Sequence, residues 1–320
     1  MPAEVAATAT ADAWQRVSAV VVTHHSGGVI QQCLEPLGKA AKIVVVDNAS
    51  DDDTLDIVSQ AAPDCEVLQN PIGAGYGNGA SQGLAMVQTE FALLANPDAV
   101  VSDAALARLV ETADAYPDGA LFGPTVIDTD GTVELSHDVG LFDRRDHGHR
   151  DNEPSPDGPC CAEFLSGAVT LLRMSAYREV GPFDPRLFLY YEDDDFCMRL
   201  RAARFSLIQV PDAVVSHIGG GSVRPSAHYY WEKYWHMAWS RLYIEEKYRG
   251  RAARRRIANA NLLRFALKAL GNAIILRRAK AWRDLARLFG TAGYIFAIPA
   301  SRTVPEARPP RPGDRSPGAS

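Results

Sequence analysis

The 320-residue sequence contains no run of about twenty uncharged apolar residues, the length a helix needs to cross a bilayer, so no segment reads as a membrane span. Its first fifteen residues lack the basic cluster of an export signal. They are alanine-rich, carry Glu4 and Asp12, and are expected to form a loose extension (residues 1–15) on a cytoplasmic protein. Cysteine is scarce: five residues, at 33, 65, 160, 161 and 197, without metal-ligand spacing. Three of them lie in apolar periodic contexts, which predicts packed, reduced thiols. The marks of a disordered or fibrous chain are missing too, and 47% hydrophobic content is enough for one large core or two smaller ones.

Charge is unevenly spread. The net charge of -6 combines residues 1–240, with 15 Lys and Arg against 34 Asp and Glu, and residues 241–320, with 18 against 5. A basic rear half points to an anionic surface as its partner, either nucleic acid or a membrane leaflet.

Within the acidic part, Phe188-Leu-Tyr-Tyr-Glu192-Asp193-Asp194-Asp195-Phe196 sets four consecutive carboxylates against an apolar stretch. Solvated acidic runs lie in polar surroundings, and this one does not. Aspartates can cap the helix that follows, and Asp195 can pair with Arg199 one turn on, so Asp194 and Asp195 are assigned to structure. Glu192 and Asp193 remain as candidates for chemistry, because burial turns an acid into a candidate base.

Val17–Thr23, Ile43–Asp47, Glu66–Gln69 and Phe91–Ala95 read as strands, each followed by a polar or glycine-rich loop and most by a helical pattern. This alternation predicts an α/β fold with a doubly wound, mostly parallel sheet, whose ligands lie at the carboxyl ends of the strands. The loops Thr23–Ser26, Asp47–Asp51 and Asn96–Asp98 all fall there. Residues 143–159, rich in charge, Pro and Gly, read as a mobile loop. After it come Phe164–Leu172, a helix from the acidic run to Arg204, strands at Ser206–Val210 and Val214–His217, and then Gly219-Gly-Gly221. A helical pattern extends to about Ile298, and the Pro- and Arg-rich residues 301–320 are expected to be disordered.

Gly75-Tyr-Gly77-Asn-Gly79-Ala80 fits the dinucleotide fingerprint, with Asp98 about twenty residues on as a ribose-binding acid. A dinucleotide-dependent oxidoreductase is therefore one reading. The motif sits in the third strand-to-helix turn rather than the first, however, and such an enzyme has no role for Asp47 or Glu192-Asp193. A glycosidase is a further alternative, but adjacent carboxyls rarely straddle one sugar.

Taken together, Val20-Val-Val-Thr-His-His25, Val44-Val-Val-Asp-Asn-Ala-Ser-Asp51, Gln69–Asn78, Leu93-Leu-Ala-Asn-Pro-Asp98, Gly181-Pro-Phe-Asp184, Phe188–Asp195 and Ser216-His217 resemble the inverting family 2 glycosyltransferases of GT-A type, especially the rhamnosyltransferase-like branch. The resemblance covers about residues 17–225. It implies a GT-A catalytic domain over residues 16–225, followed by a helical basic extension over residues 226–300. It further implies that Asp47 reads the nucleotide base, that Thr23, Asn48 and Asn96 help hold the nucleotide sugar, and that Asp98 ligates Mg²⁺ or Mn²⁺ on the diphosphate. His217, at a strand end, is a second candidate ligand, since hard oxygen donors and an imidazole suit such an ion. The family's usual Asp-x-Asp is here Asn96-Pro97-Asp98, so one anionic ligand is replaced.

By position, Asp193 matches the family's catalytic base, with Glu192 beside it to orient the acceptor or raise the base's pKa. The expected activity is transfer of a sugar, rhamnose among the candidates, from a nucleotide diphosphate sugar donor to a lipid-linked saccharide in cell-envelope polysaccharide assembly. A sugar-nucleotide-binding subunit without turnover is the non-enzyme alternative. In the extension, Trp231, Trp235, Trp239 and Tyr243 recur every fourth residue, and basic and apolar residues follow. Two readings stay open: a packed core or oligomer interface, and an amphipathic helix pair lying peripherally on the inner face of an anionic membrane. A strongly acidic catalytic domain argues against nucleic acid.

Overall fold

A computed structural model of the chain describes residues 12–134, 136–144, 156–218 and 226–300. Residues 1–11, the tail 301–320, the centre of the expected mobile loop (145–155) and the triple glycine after His217 lie outside the described residues. The chain divides into two compact units. One runs through the described residues to Asp184 and again from Glu192 to Ile218; the other combines Pro185–Tyr191 with residues 226–300.

The first unit begins with β1 (Val17–Thr23), α1 (Ile30–Leu37), β2 (Lys42–Asp47), α2 (Thr54–Ala61), β3 (Glu66–Gln69), α3 (Tyr76–Leu84) and β4 (Phe91–Ala95). After β4 come β5 (Ala99–Val100), α4 (Asp103–Ala115), β6 (Gly119–Asp128), β7 (Val133–Glu134) and β8 (His137–Asp138). The unit is completed by β9 (Cys160–Ala162), β10 (Phe164–Leu165), β11 (Val169–Arg173), α5 (Met174–Val180), α6 (Glu192–Ala202) and β12 (Ser206–His217).

The main sheet has the order β3-β2-β1-β4-β11-β6-β12-β5, with β7 beside β6 and β9 beside β12. The pairings β3-β2, β2-β1, β1-β4 and β6-β12 are parallel, whereas β11 runs against both β4 and β6. Those antiparallel contacts cancel, so β1, β2, β3, β4, β6 and β12 all point the same way, with β11 reversed among them. The sequence pattern separates Ser206–Val210 from Val214–His217; the two form one strand with a register shift at Val210/Val214.

β1 is buried along its whole length, as expected of a central parallel strand covered on both faces. Val17, Ala19 and Val21 face one layer with Trp14, α1 and α4, while Val20 and Val22 face the other with α3, α5 and α6. The N-terminal extension expected to be loose through residue 15 is ordered from residue 12. Trp14 is buried and its Nε1 donates to Asp103 Oδ1 at 2.9 Å, and burial of an indole with its N–H satisfied accounts for the order.

Gly79 of the dinucleotide-like motif, and Gly83 one turn beyond it, have a packing cause. A Cβ on Gly79 or Gly83 would lie 2.9 or 2.5 Å from the methyls of Val22 and Val20, so α3 can sit this close to the sheet only with glycine there. Within the motif, Gly79 serves a helix-on-sheet contact.

In the second unit, α7 (Ala227–Ile274) breaks at Gly250, whose φ of 82° interrupts the helix, and pairs with α8 (Arg278–Ile295). The aromatic ladder faces α8. The Trp231 ring lies 4.6 Å from that of Trp282, Trp235 packs over Gly290 and Gly293, and Trp239 Nε1 donates to Ile298 O at 2.8 Å.

Candidate active site

Three clusters gather at the carboxyl ends of the strands. At the end of β2, Asp47 is fully buried and accepts from the Ser50 amide at 3.1 Å. Beside it in register, Thr23 closes β1; its Oγ1 is buried and meets no hydrogen-bond partner among the described residues. Asn48 is differently placed. Its Nδ2 donates to Gly75 O at 3.1 Å, and its Oδ1 accepts from Ala74 N and Asn70 Nδ2 at 3.2 and 2.9 Å. The amide thus ties two loops together, with its polar groups already engaged. Ala49 follows with φ 63°, a left-handed conformation that a non-glycine residue holds only where its surroundings enforce it.

The second cluster forms where β12 meets the turn after β4. Asn96 is held there by its amide, which donates to Ala168 O at 2.9 Å, and Ile218 N donates to Asp98 O at 2.8 Å. These backbone bonds bring Asp98 Oδ1 to 3.1 Å from His217 Nε2. On its other side, His217 Nδ1 meets Glu134 Oε1 at 2.9 Å. The adjacent Asp98 carboxylate, and then the hydrogen bond to Glu134, raise the imidazole pKa to about 9 despite opposing burial.

The third cluster is the start of α6. Asp193 accepts from the Gly167 amide at 3.1 Å, and a Cβ on Gly167 would lie 2.5 Å from Asp193 Oδ1, so the carboxylate lies directly against bare backbone. Tyr76 Oη donates to Gly167 O at 3.0 Å and fixes that peptide from the other side. Burial, reinforced by Asp194, lifts the Asp193 carboxyl to about 7, with the Gly167 bond and Arg144 opposing. Glu192 is buried, its Oε2 has no hydrogen-bond partner among the described residues, and its pKa stands well above the ordinary carboxylate value because of burial and then Asp193. A small pocket lined by Tyr76, Gly167, Thr170, Phe183, Asp193 and Phe196 keeps this corner largely apolar.

The other two acids of the run have structural partners. Asp194 receives Arg144 Nη2 at 2.7 Å, with the guanidinium stacked 4.2 Å from the Phe164 ring. Asp195 is bound by Arg199 Nε at 2.9 Å, and the same guanidinium donates to Val180 O and Pro182 O.

Residues 18–180, just over half of the chain, match the profile of Glycosyl transferase family 2. The chain belongs to that family. The match ends before α6 and β12, so this glycosyltransferase's acidic run and His217 lie beyond it. Over 233 residues, 62% of the chain and 74% of the relative, the glycosyltransferase is 29% identical to N-acetylglucosaminyl-diphospho-decaprenol L-rhamnosyltransferase of Mycobacterium tuberculosis. Among solved structures it resembles the mannosyltransferase PcManGT from Pyrobaculum calidifontis, in complex with GDP-Man and Mn²⁺. That likeness has a TM-score of 0.53 at 15% identity and covers 92% of this chain and 97% of that one. GalNAc-T7 with UDP, GalNAc and Mn²⁺ gives 0.51 at 17% identity over 72% of this chain, which spans only about half (51%) of that one. These structural likenesses carry the GT-A fold. The sequence likeness is to a rhamnosyltransferase, as the order of the motifs leads one to expect.

The sequence does not single out Glu134, Gly167 or Tyr76. Glu134 lies in a two-residue strand with no periodic signal, and Gly167 is an inconspicuous glycine in an apolar run. Only Tyr76 stands within a recognisable motif, where the surrounding glycines draw attention away from it.

Proposed function

We propose that this glycosyltransferase moves a sugar, rhamnose being the one favoured by the sequence likeness, from a nucleoside diphosphate donor to a lipid-linked saccharide acceptor of the cell envelope, with inversion at the anomeric carbon. One observation carries the mechanism: a half-buried carboxylate, Asp193, is anchored by one backbone amide and pushed up to about 7 by desolvation and the neighbouring Asp194. General bases work best when their pKa lies near the operating pH. The acceptor hydroxyl oxygen forms its bond to the anomeric carbon as the bond from that carbon to the diphosphate oxygen breaks. The electron pair leaves with the diphosphate, and the hydroxyl proton passes to Asp193. Glu192, its pKa raised by burial and by Asp193, can orient the acceptor through a hydrogen bond. A single base acting on the face opposite the leaving group is what inversion requires.

Asp98 and His217 fit a divalent cation. At metal–ligand distances of about 2.1 Å, adjacent ligands of an octahedral ion lie about 3 Å apart, which matches the 3.1 Å between Asp98 Oδ1 and His217 Nε2. No group of three or more His, Cys, Asp or Glu converges for a metal among the described residues. Two protein donors with diphosphate oxygens and water completing the shell is the usual way Mg²⁺ is held. Once bound, Mg²⁺ or Mn²⁺ would neutralise charge building on the departing diphosphate. Glu134, accepting from His217 Nδ1–H, would fix the tautomer that turns the Nε2 lone pair toward the cation. In the donor pocket, Asp47 and the Thr23 hydroxyl, which has no hydrogen-bond partner among the described residues, take the nucleoside, while Asn96 lies on the diphosphate side and Asn48 shapes the loop.

A lipid-linked acceptor implies work at a membrane surface; no helix among the described residues is long and apolar enough to cross one. The test is Asp193→Asn, assayed for transfer and for donor binding. Loss of transfer by at least a hundredfold with donor affinity unchanged is expected, because general-base effects are about 10²–10⁴. Transfer within tenfold of the wild type would remove Asp193 as the base.

A further inference from the structure

The second half of α7 has its apolar stripe on the outside. Ala258, Phe265 and Ala269 are buried and share a face with Asn272, whose Nδ2 donates to Asp284 of α8 at 3.0 Å; this is the face that meets α8. Leu263, Leu267, Leu270 and Ile274 lie opposite, exposed by 65, 60, 60 and 72%. Steps of four, three and four residues at about 100° each place them in one narrow row. The turn into α8 extends the row, with Ile275 and Leu276 exposed by 57 and 77%. Leu276 is held at φ 57° by a turn in which Arg277 N reaches back to Asn272 O at 2.8 Å. Six aliphatic side chains thus lie contiguously in water on a hairpin whose buried seam contains Asp284 and Asn272. Contiguous exposed apolar surface of this kind marks an interaction site.

The surrounding charge narrows the choice of partner. Residues 247–283 contain twelve Lys and Arg and no acid. Arg264, Lys268, Arg277, Arg278 and Lys280 flank the row and its tip, all exposed, and none of them takes part in an ion pair among the described residues. A second copy meeting this face through its own would set like charge against like, because a two-fold contact pairs a patch with itself. A nucleic acid would satisfy the charge but leave six aliphatic side chains in water. An anionic bilayer leaflet satisfies both, taking the side chains among its upper acyl carbons and the basic groups among its phosphates.

We propose that the α7–α8 hairpin is the membrane-contacting element of the protein, with Leu263, Leu267, Leu270 and Ile274 and the tip Ile275-Leu276 entering an anionic leaflet and the flanking basic residues meeting its phosphate groups. This deepens the reading of a lipid-linked acceptor and rests on it for its purpose, but the contact itself is independent of the transfer chemistry. The Trp231–Tyr243 ladder is not part of the surface, since its rings pack against one another and α8.

The test uses the full chain with vesicles of phosphatidylcholine alone or with about a third phosphatidylglycerol. Wild type is compared with two double variants, Leu267→Gln with Leu270→Gln and Ile275→Gln with Leu276→Gln. Wild type should co-sediment with the anionic vesicles, weakly with the neutral ones, and less as salt rises. Each double variant should lose at least tenfold in partitioning, with an unchanged thermal midpoint and unchanged binding of a nucleoside diphosphate, because the altered side chains are exposed. Full binding by both variants, or no binding by wild type at low salt, overturns the proposal. So does a wild-type dimer that the variants convert to monomer without vesicle binding, which would assign the row to a second copy. Binding to a single-stranded oligonucleotide in place of vesicles would assign the face to nucleic acid. Nucleoside diphosphate binding is read separately, so a failure of the transfer reading would show there and not in the vesicle result.

Discussion

Replacing Asp193 by asparagine should stabilise the protein, and should do so only above a definite pH. The half-buried carboxyl is pushed up to about 7 by desolvation and Asp194, whereas an unfolded aspartate titrates at about 3.9. Below about pH 4 both states hold the proton, and the folded protein bears no penalty. Between about pH 4 and 7 the unfolded chain releases the proton while the folded chain keeps it, so wild-type stability falls as pH rises, by about 1.4 kcal/mol per unit. Above about pH 7 the loss is complete, at most about 4 kcal/mol for three units. The side-chain amide introduced by Asp193→Asn cannot titrate and should escape this loss, although the bond from the Gly167 amide, made in the wild type to a carboxylate, weakens by about 1 kcal/mol. Urea unfolding of both proteins from pH 4 to pH 8.5 measures the difference directly. It should be near zero or slightly unfavourable to the variant at pH 4, grow through pH 5–7, and level off at about 2–3 kcal/mol in favour of the variant. Parallel pH profiles, or a variant less stable than wild type at pH 8, would show that Asp193 is not held against its charge.

The remaining predictions concern the cation and the fold. Asp98→Ala should abolish Mn²⁺-dependent enhancement of donor binding, and His217→Ala should weaken it less because it removes no charge; titration calorimetry with and without Mn²⁺ distinguishes them, and an unaltered requirement in either would exclude that residue. Glu134→Gln should lower Mn²⁺ affinity in the presence of nucleoside diphosphate by about 10–100-fold, the usual effect of removing a ligand's hydrogen-bond partner, with an unchanged thermal midpoint for the metal-free protein. Gly83→Ala should destabilise the fold by about 1–3 kcal/mol, because its Cβ would meet Val20 Cγ1 at 2.5 Å; a neutral effect in urea unfolding would show that α3 can lift away.

The parallel half of the sheet is legible in the sequence because buried parallel strands are continuous apolar runs, and β1, β2 and β4 have that character. Thr23, Asp47 and Asp98 follow directly from those runs, since the connectivity of such a sheet dictates that the loops after its strands gather at one edge. The split of the acidic run is also readable: Asp195 and Arg199 stand one turn apart, and they pair. What stays hidden depends on contacts between segments far apart in sequence. Nothing in the local pattern sets Glu134 beside His217, 83 residues away, or Gly167 against Asp193, 26 residues away. The side chain of Asn48 can be placed near the donor from its motif, but not its engagement by Asn70 and Ala74, which follows from how the β3–α3 loop folds back. Trp14 escapes notice because a single aromatic in an alanine-rich stretch has no periodicity to report its burial.

The most direct measurement is the pH dependence of the transfer step in single turnover, with donor and acceptor saturating. If Asp193 takes the acceptor proton, the wild-type rate should rise about tenfold per pH unit on the acidic side and flatten above a midpoint near 7. Residual transfer by Asp193→Asn should show no such rise. A wild-type rate that is flat from pH 5 to 8, or a residual rate in the variant with the same midpoint, would contradict the assignment of Asp193 as the base.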